Sequence, residues 1–168
     1  RTRVFTDVGR DVYLESPLAT TPATEGELFV QGIPYQRKSE SIVVADTEQG
    51  RACSQTLHRE PAVLPPEVPE LSLTVRDPDR AQGGYTAAGM LTESAALLVV
   101  IDEYGEYVWV HPGGPGFISR VYFEQEKSQL EHLSWAPNWD EAGYIQQIDM
   151  SGSLRDSIEI TGAHTDYV

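Results

Sequence analysis

Short stretches in which apolar and polar positions alternate recur along the whole chain. They read "DVYLE", "GELFVQGI", "ESIVVAD", "ACSQTLH", "LSLTV", "GYTAAGML", "ALLVVID", "EYVWVH", "ISRVYFE", "LEHLSW", "GYIQQID" and "SLRDSIEI". Each is rich in β-branched or aromatic residues and is bounded by Gly, Pro, Asp or Ser, the pattern of half-buried strands separated by turns. No window keeps an apolar stripe at helical spacing for three turns; "EQEKSQLEHL" comes nearest, between an apolar strand and "SWAP". The pattern predicts an all-β chain.

One stretch breaks the rhythm. "EPAVLPPEVPE", Glu60 to Glu70, holds four prolines in eleven positions. Proline cannot donate to a sheet ladder and favours extended backbone. The run reads as a semi-rigid linker over residues 63–70, or else as a long loop inside one sandwich. On the linker reading a first domain spans 1–62 and a second 71–168. Five strand candidates with closely spaced Pro and Gly turns predict a small fibronectin- or immunoglobulin-like β-sandwich for 1–62.

The second domain contains a repeat. Ile101-Asp102 with Gly105 and Ile148-Asp149 with Gly152 share the spacing Ile-Asp-x-x-Gly. Isoleucine ends an inward-facing strand, aspartate accepts backbone N–H groups in the turn, and glycine supplies the positive φ of a tight hairpin. Four short strands per repeat of this size are the signature of a β-propeller blade; generic hairpin chemistry occurring twice is the other reading. "ISRVYFE" to "SLRDSIEI" make one four-strand set, and "GYTAAGML" to "EYVWVH" most of the set before it. A propeller closes with about four to eight blades. Residues 71–168 are therefore expected to be about two blades of an incomplete propeller, and the chain, ending in "ITGAHTDYV", a piece of a larger protein.

Charge narrows the partners. Twelve basic and 26 acidic residues among 168 leave a net charge of −14, a field that repels nucleic acid and anionic membranes. No run approaches the length of a membrane-spanning helix. Cys53, the only cysteine, has no internal disulfide partner and is expected as a buried apolar strand residue rather than a reactive thiol.

Candidate chemistry rests on histidine, which serves as base, ligand or nucleophile near neutral pH. His164 and Asp166, in "GAHTD", share a face if the strand continues, and an aspartate so placed can orient an imidazole; a turn histidine with a solvated partner is the other reading. His111 stands before the glycine-rich "PGGPG", which lacks a phosphate-binding signature and reads as an inter-blade loop. His132, in "LEHLSW", reads as packed or surface-lying, with the central channel as a further possibility. His58 and Arg51 read as solvated edge residues. "NWDEAG" has the wrong spacing for a calcium loop, and no zinc or cofactor motif occurs. Trp109, Trp135 and Trp139 fit packing between blades better than a ligand platform.

Taken in order, "GGYTAAGML", "LLVVIDEYGEYVWVH" and "GYIQQIDMSGSLRDSIEITGAHTDYV" resemble the opening of bacterial arylsulfotransferases (aryl-sulfate sulfotransferases), over about residues 70 to 168. Members of that family run through two Ile-Asp-x-x-Gly hairpins into a His-His-Asp or His-Thr-Asp motif, after a small β-sandwich. The resemblance implies a six-bladed propeller with a funnel of histidines and an arginine. It implies sulfuryl transfer from a phenolic sulfate ester to a phenol through a sulfohistidine, without a nucleotide donor or other cofactor, in a periplasmic or secreted protein. His164 and Asp166 are the motif residues present, Thr165 stands where many members carry a second histidine, and the covalent histidine and arginine are implied beyond Val168. The 168 residues alone are then expected to be inactive. A non-catalytic propeller or sandwich module at the cell surface is the alternative.

Overall fold

The computed structural model describes residues 2–9, 13–15, 30–77, 79, 83–114, 116–124, 129–135 and 142–160. The chain divides into two compact units, Arg1–Leu64 and Pro65–Val168. The described residues form β-strands, turns and irregular segments, with no helix.

In the first unit β1 (Thr2–Asp7), β2 (Tyr13–Glu15), β3 (Ser39–Thr47), β4 (Gly50–Cys53) and β5 (Leu57–Arg59) make one antiparallel sheet in the order β2-β1-β3-β4, with β5 also on β3. Val4, Thr6 and Val8 point inward at alternate positions. Thr6 meets its register partner Ser41 through a 2.8 Å hydroxyl contact, which satisfies two polar groups on the buried side. β1 is not among the runs picked out by alternation, because its inward series contains threonine while Val4 and Phe5 sit side by side.

"ACSQTLH" is not one strand but two. Ser54 interrupts it: its N–H donates to Val43 O at 2.9 Å, and its hydroxyl accepts from Val43 N–H at 3.0 Å. The side chain thus takes the place of a ladder bond, and pairing with β3 resumes at Leu57. Cys53, expected inside, is exposed; β4 is an edge strand with every residue exposed, so alternation there marks no core.

The second unit begins with an irregular segment. "LSLTV" was expected as a strand but has no ladder partner and stays outside the sheets. The segment follows the nearby hairpin through side chains instead. Tyr107 donates its hydroxyl to Pro69 O at 2.8 Å, Arg76 bonds Glu103 at 3.1 Å, and its guanidinium lies 4.2 Å from the centre of the Tyr104 ring.

Two antiparallel meanders follow. β6 (Tyr85–Leu91), β7 (Ala96–Asp102) and β8 (Tyr107–Pro112) form a three-stranded sheet in chain order. β9 (Phe117–Glu124), β10 (Gln129–Trp135), β11 (Gly143–Asp149) and β12 (Leu154–Ile160) form a four-stranded one. Ala96 to Val100 are all buried, so the central strand β7 is covered on both faces and reads as a continuous apolar run. Among the described strands the sheets come closest at β6 and β9, with β7 next.

Ile118 of β9 explains the approach. A Cβ placed on Gly89 would lie 2.6 Å from Ile118 Cγ2, and one on Gly113 would lie 2.2 Å from its Cδ1. Two bare backbones form the notch that one branched side chain fills. Behind it Val100, Val108 and Leu130 close the core, flanked by Ala87, Trp109, Val121 and Met150.

Candidate functional site

The two Ile-Asp-x-x-Gly segments fold alike. Asp102 Oδ1 accepts from the N–H groups of Tyr104 and Glu106, both at 2.9 Å. Asp149 Oδ1 accepts from Ser151 N–H at 2.9 Å and Ser153 N–H at 3.0 Å. The backbone bonds agree too: Gly105 N–H to Asp102 O at 3.0 Å and Gly152 N–H to Asp149 O at 2.9 Å. The glycines take φ of 80° and 87°, the left-handed position that closes a three-residue hairpin. The first turn joins β7 to β8 and the second joins β11 to β12. The isoleucines differ: Ile148 is buried, whereas Ile101 is half-buried.

Asp149 carries the denser set of bonds. Ser151 Oγ donates to it at 2.5 Å and Arg155 pairs with its other oxygen. The Ser151 hydroxyl bond leads in holding the carboxyl down to about 2, opposed by burial and helped by the Ser153 N–H and Arg155. A depressed carboxyl stabilises the fold above its ordinary range, and that contribution disappears as pH falls through about 2. Asp149→Ala is therefore expected to cost about 2 kcal/mol at pH 7, with the gap to the parent narrowing below pH 3. Urea unfolding at both pH values measures this.

The second turn packs against β8. Trp109 donates its indole N–H to Met150 O at 2.9 Å, and a Cβ on Gly152 would stand 3.0 Å from His111 Nδ1. Trp109 and His111, two apart on one strand, stack with centroids 5.4 Å apart and planes 13° from parallel. Across the seam lies His132 of β10, between Leu130 and Ser134, with only 1% of its surface exposed. Neither ring nitrogen of His132 has a hydrogen-bond partner. Burial lowers the pKa of His132 and His111's charge lowers it further; Gln146, its register partner on β11, pulls weakly the other way, without a well-formed bond. Burial lowers that of His111 as well. Both rings are thus neutral at pH 7.

The four-stranded sheet carries an open cleft of about 510 Å³ lined by Arg120, Val121, Tyr122, Glu131, His132, Leu133 and Ile145, on the face opposite the His132 ring by strand register. Gln147 donates to Glu131 there at 2.9 Å.

His164 and Asp166 lie outside the described residues, as do Trp139 and most of "NWDEAG". His111 is a residue of β8, and the loop begins after it. His58 is exposed and faces Glu40 at 3.2 Å, and Arg51 is paired with Asp46 at 2.9 Å. Among the described residues no three His, Cys, Asp or Glu side chains gather as a metal site, and no helix is long and apolar enough to cross a membrane. The seam pair of His111 and His132 was not singled out by sequence. Alternation places His132 with Leu130, but no local pattern places it near His111. Comparison of the chain with family models, curated proteins and solved structures finds no match.

Proposed function

We propose that the second unit comprises two successive blades of a β-propeller, and that the protein is the N-terminal part of an arylsulfotransferase-like enzyme. Its reaction moves a sulfuryl group from a phenolic sulfate ester to a phenol. The observation that carries the reading is the shared turn, with the same aspartate, glycine and backbone bonds at Asp102 and Asp149. Aligning these hairpins equates β7–β8 with β11–β12 and β6 with β10. β9 then starts the second set, and the first holds the remaining three of four strands. Sheets that approach at β6 and β9 suit radial wedges.

The chemistry is the one that the resemblance to arylsulfotransferases implies. A neutral imidazole attacks sulfur, an N–S bond forms, and the S–O bond to the phenoxide breaks. An acceptor phenol then takes the sulfuryl group and frees the imidazole. Cationic neighbours stabilise the charge gathering on the sulfuryl oxygens. His164 and Asp166 are the family-type motif residues of this chain, distinct from the covalent histidine. His132 is too buried to meet a substrate. A ring needs further blades beyond these two, and the nucleophile and arginine belong with them.

A protein carrying the closed ring is expected to release 4-nitrophenolate from 4-nitrophenyl sulfate when phenol is supplied, and the 168 residues alone are not. No release across a panel of phenolic acceptors removes the enzymatic reading. The non-catalytic module would then stand. It is favoured by one observation: the described histidines are either held in the seam or exposed at the surface beside a carboxylate.

A further inference from the structure

The seam between the two sheets holds a group that the proposed chemistry does not use. His132 has 1% exposure and two ring nitrogens without partners, an arrangement that is rare because an unpaired buried polar group costs stability. We propose that the His132–His111 pair is an acid-operated latch: protonation of the pair releases the β9–β12 sheet from the β6–β8 sheet. This stands independently of sulfuryl transfer.

Among the described residues the geometry supplies no free carboxylate to hold a charge on His132, and only the Gln146 amide favours it weakly. The seam-facing side of β9 presents Ile118, Val121 and Phe123, and β10 adds Leu130 and Ser134. β11 offers the amide of Gln146, and the facing sheet offers Ala87, Leu98, Val100 and the Trp109–His111 stack. The other titratable or charged groups on this side are Tyr85 and Asp102 of the first sheet, Tyr144 and Glu159 of the second, and Asp149 and Arg155 of the turn. Asp102 is committed to its own turn, and Asp149 to Ser151, Ser153 and Arg155. Arg120 and Glu131 lie on the opposite face. A proton on either imidazole therefore meets burial and, across the seam, the other imidazole.

The direction follows from linkage. Burial holds each histidine below its ordinary value in the closed seam, and opening the seam to water removes that cause. Above about pH 6.5 both are neutral in both states and the seam is indifferent to pH. Below it the open state takes up protons first, so closure weakens as pH falls from about 6.5 toward the closed-state values. At pH 5 a histidine wholly excluded from protonation shifts the equilibrium toward opening by about 30-fold.

The indole N–H of Trp109 reports on the seam, because its bond to Met150 O crosses it. Its hydrogen-exchange protection, corrected for intrinsic pH dependence, is expected to fall by about 30-fold or more between pH 7 and pH 5. In His132→Leu most of that fall should vanish, and in His111→Gln about half on a logarithmic scale. Protection that is unchanged between pH 7 and 5 in the parent overturns the latch, as does an equal fall in both variants. Should His132→Leu not fold, histidine ring NMR on the parent decides. The latch requires the His132 ring to remain neutral until indole protection is lost; titration of that ring near pH 6.5 with protection intact contradicts it.

Discussion

Gly89→Ala is expected to destabilise the second unit by about 1–3 kcal/mol, although alanine in a strand ordinarily gains about 0.5–1 kcal/mol over glycine. The added methyl would sit 2.6 Å from Cγ2 and 2.8 Å from Cβ of Ile118. A β-branched side chain has few rotamers to retreat into. Its backbone carbonyl lies 3.2 Å from the same point, so turning the side chain alone does not relieve the clash. The sheets must part where they are closest, and the loss extends to contacts behind the notch. Ile118→Ala carries its own cavity cost, yet it removes the 2.6 Å contact with Cγ2 and leaves only Cβ and the backbone against the methyl, so it relieves part of the clash. Urea unfolding of the parent, the two single variants and the double variant should thus show a double variant more stable than the sum of the singles, by about 1–2 kcal/mol. Strict additivity would show that Ile118 does not fill the space over Gly89.

Leu130→Ala is expected to cost about 3–4 kcal/mol. Leu130 has no exposed surface and meets Val100 and Val108 from the other sheet. A cavity there is enclosed by two hydrogen-bonded sheets that cannot collapse without breaking register. Leu154 on β12 is the control: with 55% exposure, its change to alanine should move stability by no more than about 0.5 kcal/mol. Calorimetric or urea unfolding of the two variants separates the cases. Equal losses would mean that the seam is not a packed core.

The strands of the second unit were legible because each signal agreed with its neighbours. "ALLVVID" and "EYVWVH" are apolar runs joined by a turn whose aspartate and glycine have mechanical jobs, and both jobs are found at Asp102 and Gly105. The same holds for "GYIQQID" and "SLRDSIEI" at Asp149 and Gly152. Where alternation lacked a covering layer it misled. Cys53 lies on an edge strand with both faces open, and "LSLTV" alternates without any strand to bond. β1 escaped because an inward threonine, paired with Ser41, does the work of an apolar residue. The notch of Gly89 and Gly113 around Ile118 was invisible for a different reason. Closeness between sheets is a property of residues far apart in sequence, and a glycine within a strand does not announce which side chain comes near. His132 was legible as a packed histidine through its alternation with Leu130, but its proximity to His111 and its unpartnered nitrogens belong to the assembled seam alone.

Whether residues 85–160 are two sheets joined face to face at β6 and β9 is most directly read from nuclear Overhauser contacts of the two Ile118 methyls. Strong cross-peaks are predicted from the δ1 methyl to the α-protons of Gly113 and from the γ2 methyl to those of Gly89, since each backbone borders that end of the side chain. Methyls that show neither contact would place β9 elsewhere, and with it would go the paired sheets, the shared turns as successive wedges and the histidine latch.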